Sequence, residues 1–143
     1  MKRVYLAARY DRRDELRVYR EQLQAIGVEV TSRWLDETGS LSGDMEVGKE
    51  GFYKETASID LEDVRRADTI IFFAEDPLLG WKRGGRHVEF GYALALAKHI
   101  IVIGPKENVF HYIPWVHHYT SLEQVILEYN EYRNRKHTDT DRR

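Results

Sequence analysis

Two hydrophobic rhythms run along this chain. Stretches that are apolar almost throughout, at 4–8, 69–74 and 99–104, read as strands buried on both faces of a sheet, and 28–31 and 117–119 read as shorter ones. Between them lie stretches of helical period. Leu16, Tyr19, Leu23 and Ile26 recur at helix spacing, after Asp11 as an N-cap and before Gly27 as a stop. A second helix is expected over 52–66, where Ala57, Leu61 and Val64 form a narrow stripe, and a last one over 121–132. The stretch 84–98 differs from both. Gly84 and Gly85 open a helix that is apolar on nearly all sides, the pattern of a buried helix, yet a single carboxylate, Glu89, stands near its start.

Strands that alternate with helices on short connections imply a parallel sheet covered on both faces. Five of them predict an α/β, flavodoxin-like three-layer sandwich with strand order 2-1-3-4-5. In such sheets ligands lie beyond the carboxyl ends of the strands where the order reverses, here between strands 1 and 3. The site is therefore expected from 8–11, Arg33, Trp34, 75–80 and the loop leading to Glu89. Residues 34–51 break the periodicity, with glycines at 39, 43, 48 and 51, and read as a loop covering substrate. One domain, 1–132, is expected, followed by a charged and frayed tail, 133–143.

Composition narrows the chemistry. The 143 residues, 42% hydrophobic and 32% charged, suit one globular core. A net charge of -2 gives no reason to expect a nucleic-acid polymer as partner, although Trp81, Lys82, Arg83, Gly84, Gly85, Arg86 and His87 form a local cationic run suited to a small anion such as a nucleotide. With no cysteine, thiolate chemistry is excluded. No apolar run approaches a membrane span, so no membrane partner is expected and a cytoplasmic location is. The six histidines lack metal-ligand spacing; His87 alone is placed near ligand, and neither a metal nor a cofactor is expected. The first turn, Ala8-Arg9-Tyr10-Asp11, lacks the glycines of a dinucleotide fingerprint, and no P-loop is present.

A carboxylate in an apolar helix is costly without a purpose, and Glu89 reads as a nucleophile; Gly85 supplies free N–H groups for an anion at the helix start. Asp60 and Asp63 share a helical face, while Glu62, Asp63, Arg65 and Arg66 read most simply as solvated. Tyr5, inside a buried strand, needs a partner for its hydroxyl.

Taken together, Val4-Tyr5-Leu6-Ala7, Asp60-Leu61 ahead of Ala67-Asp68-Thr69-Ile70, and Gly85-Arg86-His87-Val88-Glu89-Phe90-Gly91-Tyr92-Ala93 with the following Lys98 resemble the nucleoside 2-deoxyribosyltransferase family and the related 2'-deoxynucleoside 5'-phosphate N-hydrolases. The resemblance covers most of 3–130. It implies that Glu89 attacks the anomeric carbon to form a glycosyl-enzyme, that Tyr5 orients Glu89, that Asp60 assists protonation of the leaving base, and that Asn108 reaches a neighbouring subunit's site in a homodimer or larger homo-oligomer. The expected partners are a nucleoside or nucleotide and a free base. Trp34, Tyr10 and Phe110 are candidates to stack on the base.

One departure bears on substrate. The hydrolases carry a serine six residues before the nucleophile, where this chain has Arg83. A phosphate would then be held by cations, Arg83, Arg86 and His87, with Arg9 or Arg12 adding to them. Deoxyribosyl transfer to another base is the leading expectation. Hydrolysis of a nucleoside 5'-monophosphate and a non-catalytic nucleotide sensor are the alternatives.

Overall fold

A computed structural model describes residues 1–37, 49–79 and 84–142. Its five parallel strands, β1 (Arg3–Ala7), β2 (Glu29–Val30), β3 (Thr69–Phe73), β4 (His99–Ile103) and β5 (Val116–Tyr119), take the order β2-β1-β3-β4-β5. This is the expected flavodoxin-like α/β arrangement. The apolar runs form the centre of the sheet: Val4 to Ala7 are fully buried, and every residue of β3 is buried. Among the described residues, no helix is long and apolar enough to cross a membrane.

Neighbouring residues in a strand point to opposite faces, and β3 shows which helix lies on which side. Phe73 stacks on Tyr19 of α1 (Arg13–Ala25) at 5.4 Å, whereas Phe72 meets Phe90 of α3 (Gly85–Ala95) at 5.5 Å. In register, Ala7 pairs with Phe72 and Tyr5 with Ile70, so Tyr5 points to the α3 side. The helix α2 (Glu50–Arg66) packs against α3, and α4 (Leu122–Thr140) touches β5.

Several boundaries differ from expectation. A 3-10 turn, Tyr10–Arg12, precedes α1; Asp11 makes an ion pair with Arg9 at 3.0 Å instead of capping. Part of the expected loop at 34–51 is ordered as a second 3-10 turn, Arg33–Asp36, because Trp34 and Leu35 are buried; its middle, 38–48, lies outside the described residues. The last helix continues beyond Tyr132 to Thr140, and along it the Arg133 side chain lies over the Tyr129 ring and donates to the Ile26 carbonyl at 2.7 Å.

Two readings are corrected outright. The helix α3 is not buried on all sides: Arg86, Phe90 and Ala93 are buried, but Val88 is 63% exposed and Leu96 39%. Asp63 is not on a solvated face. It is fully buried and accepts from the Arg33 backbone N–H at 2.9 Å and Nε at 2.8 Å, which ties α2 to the end of β2.

Candidate active site

A cleft of about 530 Å³ opens beyond the carboxyl end of β1, near where the sheet order reverses; 75–79, expected to line it after β3, are not in its wall. Ala8, Arg9, Tyr10 and Asp11 line it after β1, Trp34 and Glu37 after β2, Thr56, Ala57, Asp60 and Leu61 from α2, and Gly84, Gly85, Arg86, Val88 and Glu89 at the start of α3. Gly84 adopts φ +80°, a left-handed conformation that suits glycine, and this turn sets the direction in which α3 leaves the cleft wall.

Tyr5 is fully buried in β1 and meets the cleft wall through Glu89. Its hydroxyl donates to Glu89 Oε2, a contact between residues 84 apart in sequence. Burial raises the Glu89 carboxyl to about 8 against the opposing effect of the Tyr5 bond, and Asp60 adds to the rise. The phenol itself is held well above its ordinary value, by burial first and by Glu89 second, so it remains a donor at any working pH. Replacing Tyr5 with phenylalanine removes the hydrogen bond that lowers the Glu89 value, and Glu89 is expected to titrate above 8. Carbon-13 NMR of the Glu89 carboxyl as a function of pH checks this; an unchanged or lower midpoint contradicts it.

Asp60, like Asp11 and Glu37, adds a further carboxyl to the cleft wall. Among the described residues the Asp60 Oδ1, shielded from solvent, has no hydrogen-bond partner, and burial, then Glu37 and Asp63, raise the carboxyl to about 7. A group held there is part protonated near neutral pH and can give a proton to a bound ligand. Glu37, which sequence reasoning passed over, is itself raised by burial. Its only signal in the sequence was its place at the root of the loop after Trp34. Trp34 is 6% exposed, donates Nε1–H to the Leu6 carbonyl at 2.9 Å and presents part of its ring to the cleft.

The cationic residues are distributed differently from the expected anion site. Arg9 lines the cleft but is paired with Asp11. Arg12 pairs with Glu15 at 2.8 Å and Glu75 at 3.1 Å. Arg86 touches the cleft wall, yet its guanidinium is held by both carboxylate oxygens of Glu107, with Nη2 to Oε1 at 2.7 Å. His87 and Asn108 lie outside the cleft lining, with His87 Nδ1 and Asn108 Nδ2 3.4 Å apart, and Asn108 Oδ1 accepts from the Phe110 N–H. Arg83 lies outside the described residues. Arg33 turns to Asp63, away from the expected site. Gly85 does line the cleft, at the start of α3.

No protein-family model matches the sequence, and neither does any curated protein. Solved structures do match in fold. A CMP N-glycosidase from Clostridium botulinum matches at 22% identity with a TM-score of 0.57, over 90% of this chain and 98% of that one. A 2-deoxyribosyltransferase from Bacillus psychrosaccharolyticus matches at 18% identity with a TM-score of 0.65, over 86% of this chain and 89% of that one. At these identities the likeness is one of fold.

Proposed function

We propose that this chain cleaves the N-glycosidic bond of a (deoxy)nucleoside or its 5'-monophosphate through a covalent intermediate on Glu89 and passes the glycosyl group to another base. The observation that carries this reading is the presence in one cleft of Glu89, held by Tyr5, and Asp60, whose buried oxygen has no hydrogen-bond partner among the described residues. One carboxylate to attack the sugar and one acid for the leaving group is the retaining arrangement of glycosidic cleavage. Similarity in fold to an N-glycosidase and a deoxyribosyltransferase supports it.

In the first half-reaction a Glu89 oxygen forms a bond to the anomeric carbon as the bond from that carbon to the base nitrogen breaks. The electron pair of the broken bond goes to the base, which takes the proton from Asp60. In the second half, a nitrogen of the incoming base attacks the anomeric carbon, Glu89 leaves as carboxylate, and Asp60 recovers a proton from the incoming base. Tyr5 donates to the Glu89 oxygen throughout, which orients it and favours its anionic form.

A second reading, hydrolysis of a nucleoside 5'-monophosphate, draws on one observation: Gly84 and Gly85 at the start of α3 line the cleft, where backbone N–H groups favour an anion. Incubation with nucleosides and 5'-monophosphates, with and without free adenine, separates the two by products. Exchanged nucleosides are the expected result. Free sugar phosphate alone favours the second reading, and no cleavage of any substrate defeats both and leaves the non-catalytic sensor.

We also place a neighbouring subunit beside the site, with Asn108 serving it, so that the working unit is at least a dimer. Support comes from the apolar surface around Asn108, where Val109 is 75% exposed and Tyr112 and Trp115 are also exposed. Light scattering should give a molar mass of at least twice the 16.9 kDa chain; the monomer mass contradicts this.

A further inference from the structure

Beside the cleft lies a charged cluster that the proposed reaction does not use. The side chains of Arg86 and Glu107 are each 3% exposed, and the Arg86 guanidinium lies over the Phe72 ring at 4.9 Å. Glu107 joins several elements. Its carboxylate accepts both arms of Arg86, from the first turn of α3, and the Glu75 N–H at 3.1 Å, just past the end of β3. Its own N–H donates to His111 Nδ1 at 3.0 Å, within the connection between β4 and β5. Glu75 is held in turn by Arg12, ahead of α1.

His111 makes the end of this chain rigid. Its ring is fully buried between Phe72, at 4.9 Å, and Phe90, at 5.1 Å. Burial lowers it to about 4, so at neutral pH it is a neutral imidazole and a fixed acceptor for the Glu107 N–H.

A buried ion pair contributes little net stability, because desolvation of both charges offsets their attraction. What a forked guanidinium–carboxylate pair does supply is direction, since two parallel bonds fix the planes of both groups. Here the fixed object is the first turn of α3, and Glu89 stands three residues after Arg86, about one turn along the same helix. Displacement of a reacting group by about 1 Å is enough to cost on the order of 100-fold in rate.

We propose that Glu107 is a positioning residue: by clamping Arg86 against the ends of β3 and β4 it sets the first turn of α3, and thereby Glu89, while Arg86 serves as a structural cation and not as a phosphate ligand. This rests on the reading of Glu89 as nucleophile. It also makes a distinction that the sequence run around Arg86 left open, because a phosphate ligand and a helix clamp respond differently to substitution.

Glu107→Gln keeps the shape and removes the charge; Arg86→Lys keeps the charge and removes the fork. Kinetics with a nucleoside and with its 5'-monophosphate should show kcat lowered about 10-fold or more by either variant, KM changed less than about 3-fold, and the same loss for both substrates. Unaltered kinetics, or a loss confined to KM for the monophosphate, would overturn the inference. If Glu107→Gln fails to fold, Arg86→Lys gives the same reading alone. If the wild-type protein cleaves nothing, the proposed function fails, and hydrogen exchange then tests the clamp by itself. Faster exchange at the amides of 87–90 in Arg86→Lys, with β3 and β4 unchanged, supports it; unchanged protection at 87–90 overturns it.

Discussion

Glu89→Gln is expected to lower kcat/KM by on the order of 10^4-fold or more while leaving the fold and ligand binding in place. If Glu89 is the covalent nucleophile of the proposed reaction, its removal takes away the bond through which both half-reactions run, and what is left is binding and orientation. Glutamine can still accept from Tyr5, so the cleft keeps its shape. The substitution has a second signature, in stability. Burial holds Glu89 at about 8, above its ordinary value, so the folded state binds the proton more tightly than the unfolded one. The contribution of the protonated group is present below the unfolded value and is lost as pH rises through 8. Glutamine does not titrate, so the variant should melt at nearly the wild-type temperature at pH 5 and above it at pH 9. A variant that keeps wild-type turnover, or melts lower than wild type at pH 9, contradicts this account of the residue.

Asp60→Asn is expected to cost about 10^2- to 10^4-fold in kcat/KM, the range for loss of a positioned general acid. Its loss should depend on the leaving group. Bases that must be protonated to depart should suffer most, and an electron-poor base that leaves unaided should suffer least. The pH profile gives an independent check. In the proposed reaction Glu89 must be anionic and Asp60 protonated, while burial places them at about 8 and about 7, so the competent form is the minor one of the two singly protonated states. The pair titrates jointly, and wild-type kcat/KM should rise to a maximum between those values and then fall. In Asp60→Asn the descending limb should vanish, leaving activity that rises with pH and levels off. An equal loss for every base, or a persistent descending limb, assigns the acid elsewhere.

The parts of the molecule legible from sequence are those fixed by local pattern. The apolar runs that became β1, β3 and β4 need no knowledge of their neighbours, and the left-handed turn at Gly84 is announced by the glycine itself. The position of the cleft was legible, since the topological switch point follows from strand order. What stayed hidden is what sequence distance hides. Arg86 finds Glu107 across a strand, 21 residues on, and Asp63 finds Arg33 30 residues back, so Arg86 read locally as an anion ligand and Asp63 as a surface charge though both are buried in pairs. Tyr5 and Glu89 came together in the sequence only through family resemblance, because nothing local in either segment names the other.

The exposed side of α3 shows a different limit. An apolar pattern records that a face avoids water without saying what covers it, and Val88 and Leu96 satisfy the pattern while lying open on this chain. The expectation of burial on all sides was therefore a statement about chemistry that a single chain does not fulfil.

The central claim is that the sugar is carried on Glu89. Rapid acid quenching of the protein with a cleavable nucleoside, followed by proteolysis and mass spectrometry of the peptide containing Glu89, tests it directly. The expected product is a peptide heavier by one glycosyl group, localised to Glu89 and absent when the acceptor base is in excess. Product formed in step with turnover while Glu89 stays unmodified would contradict it.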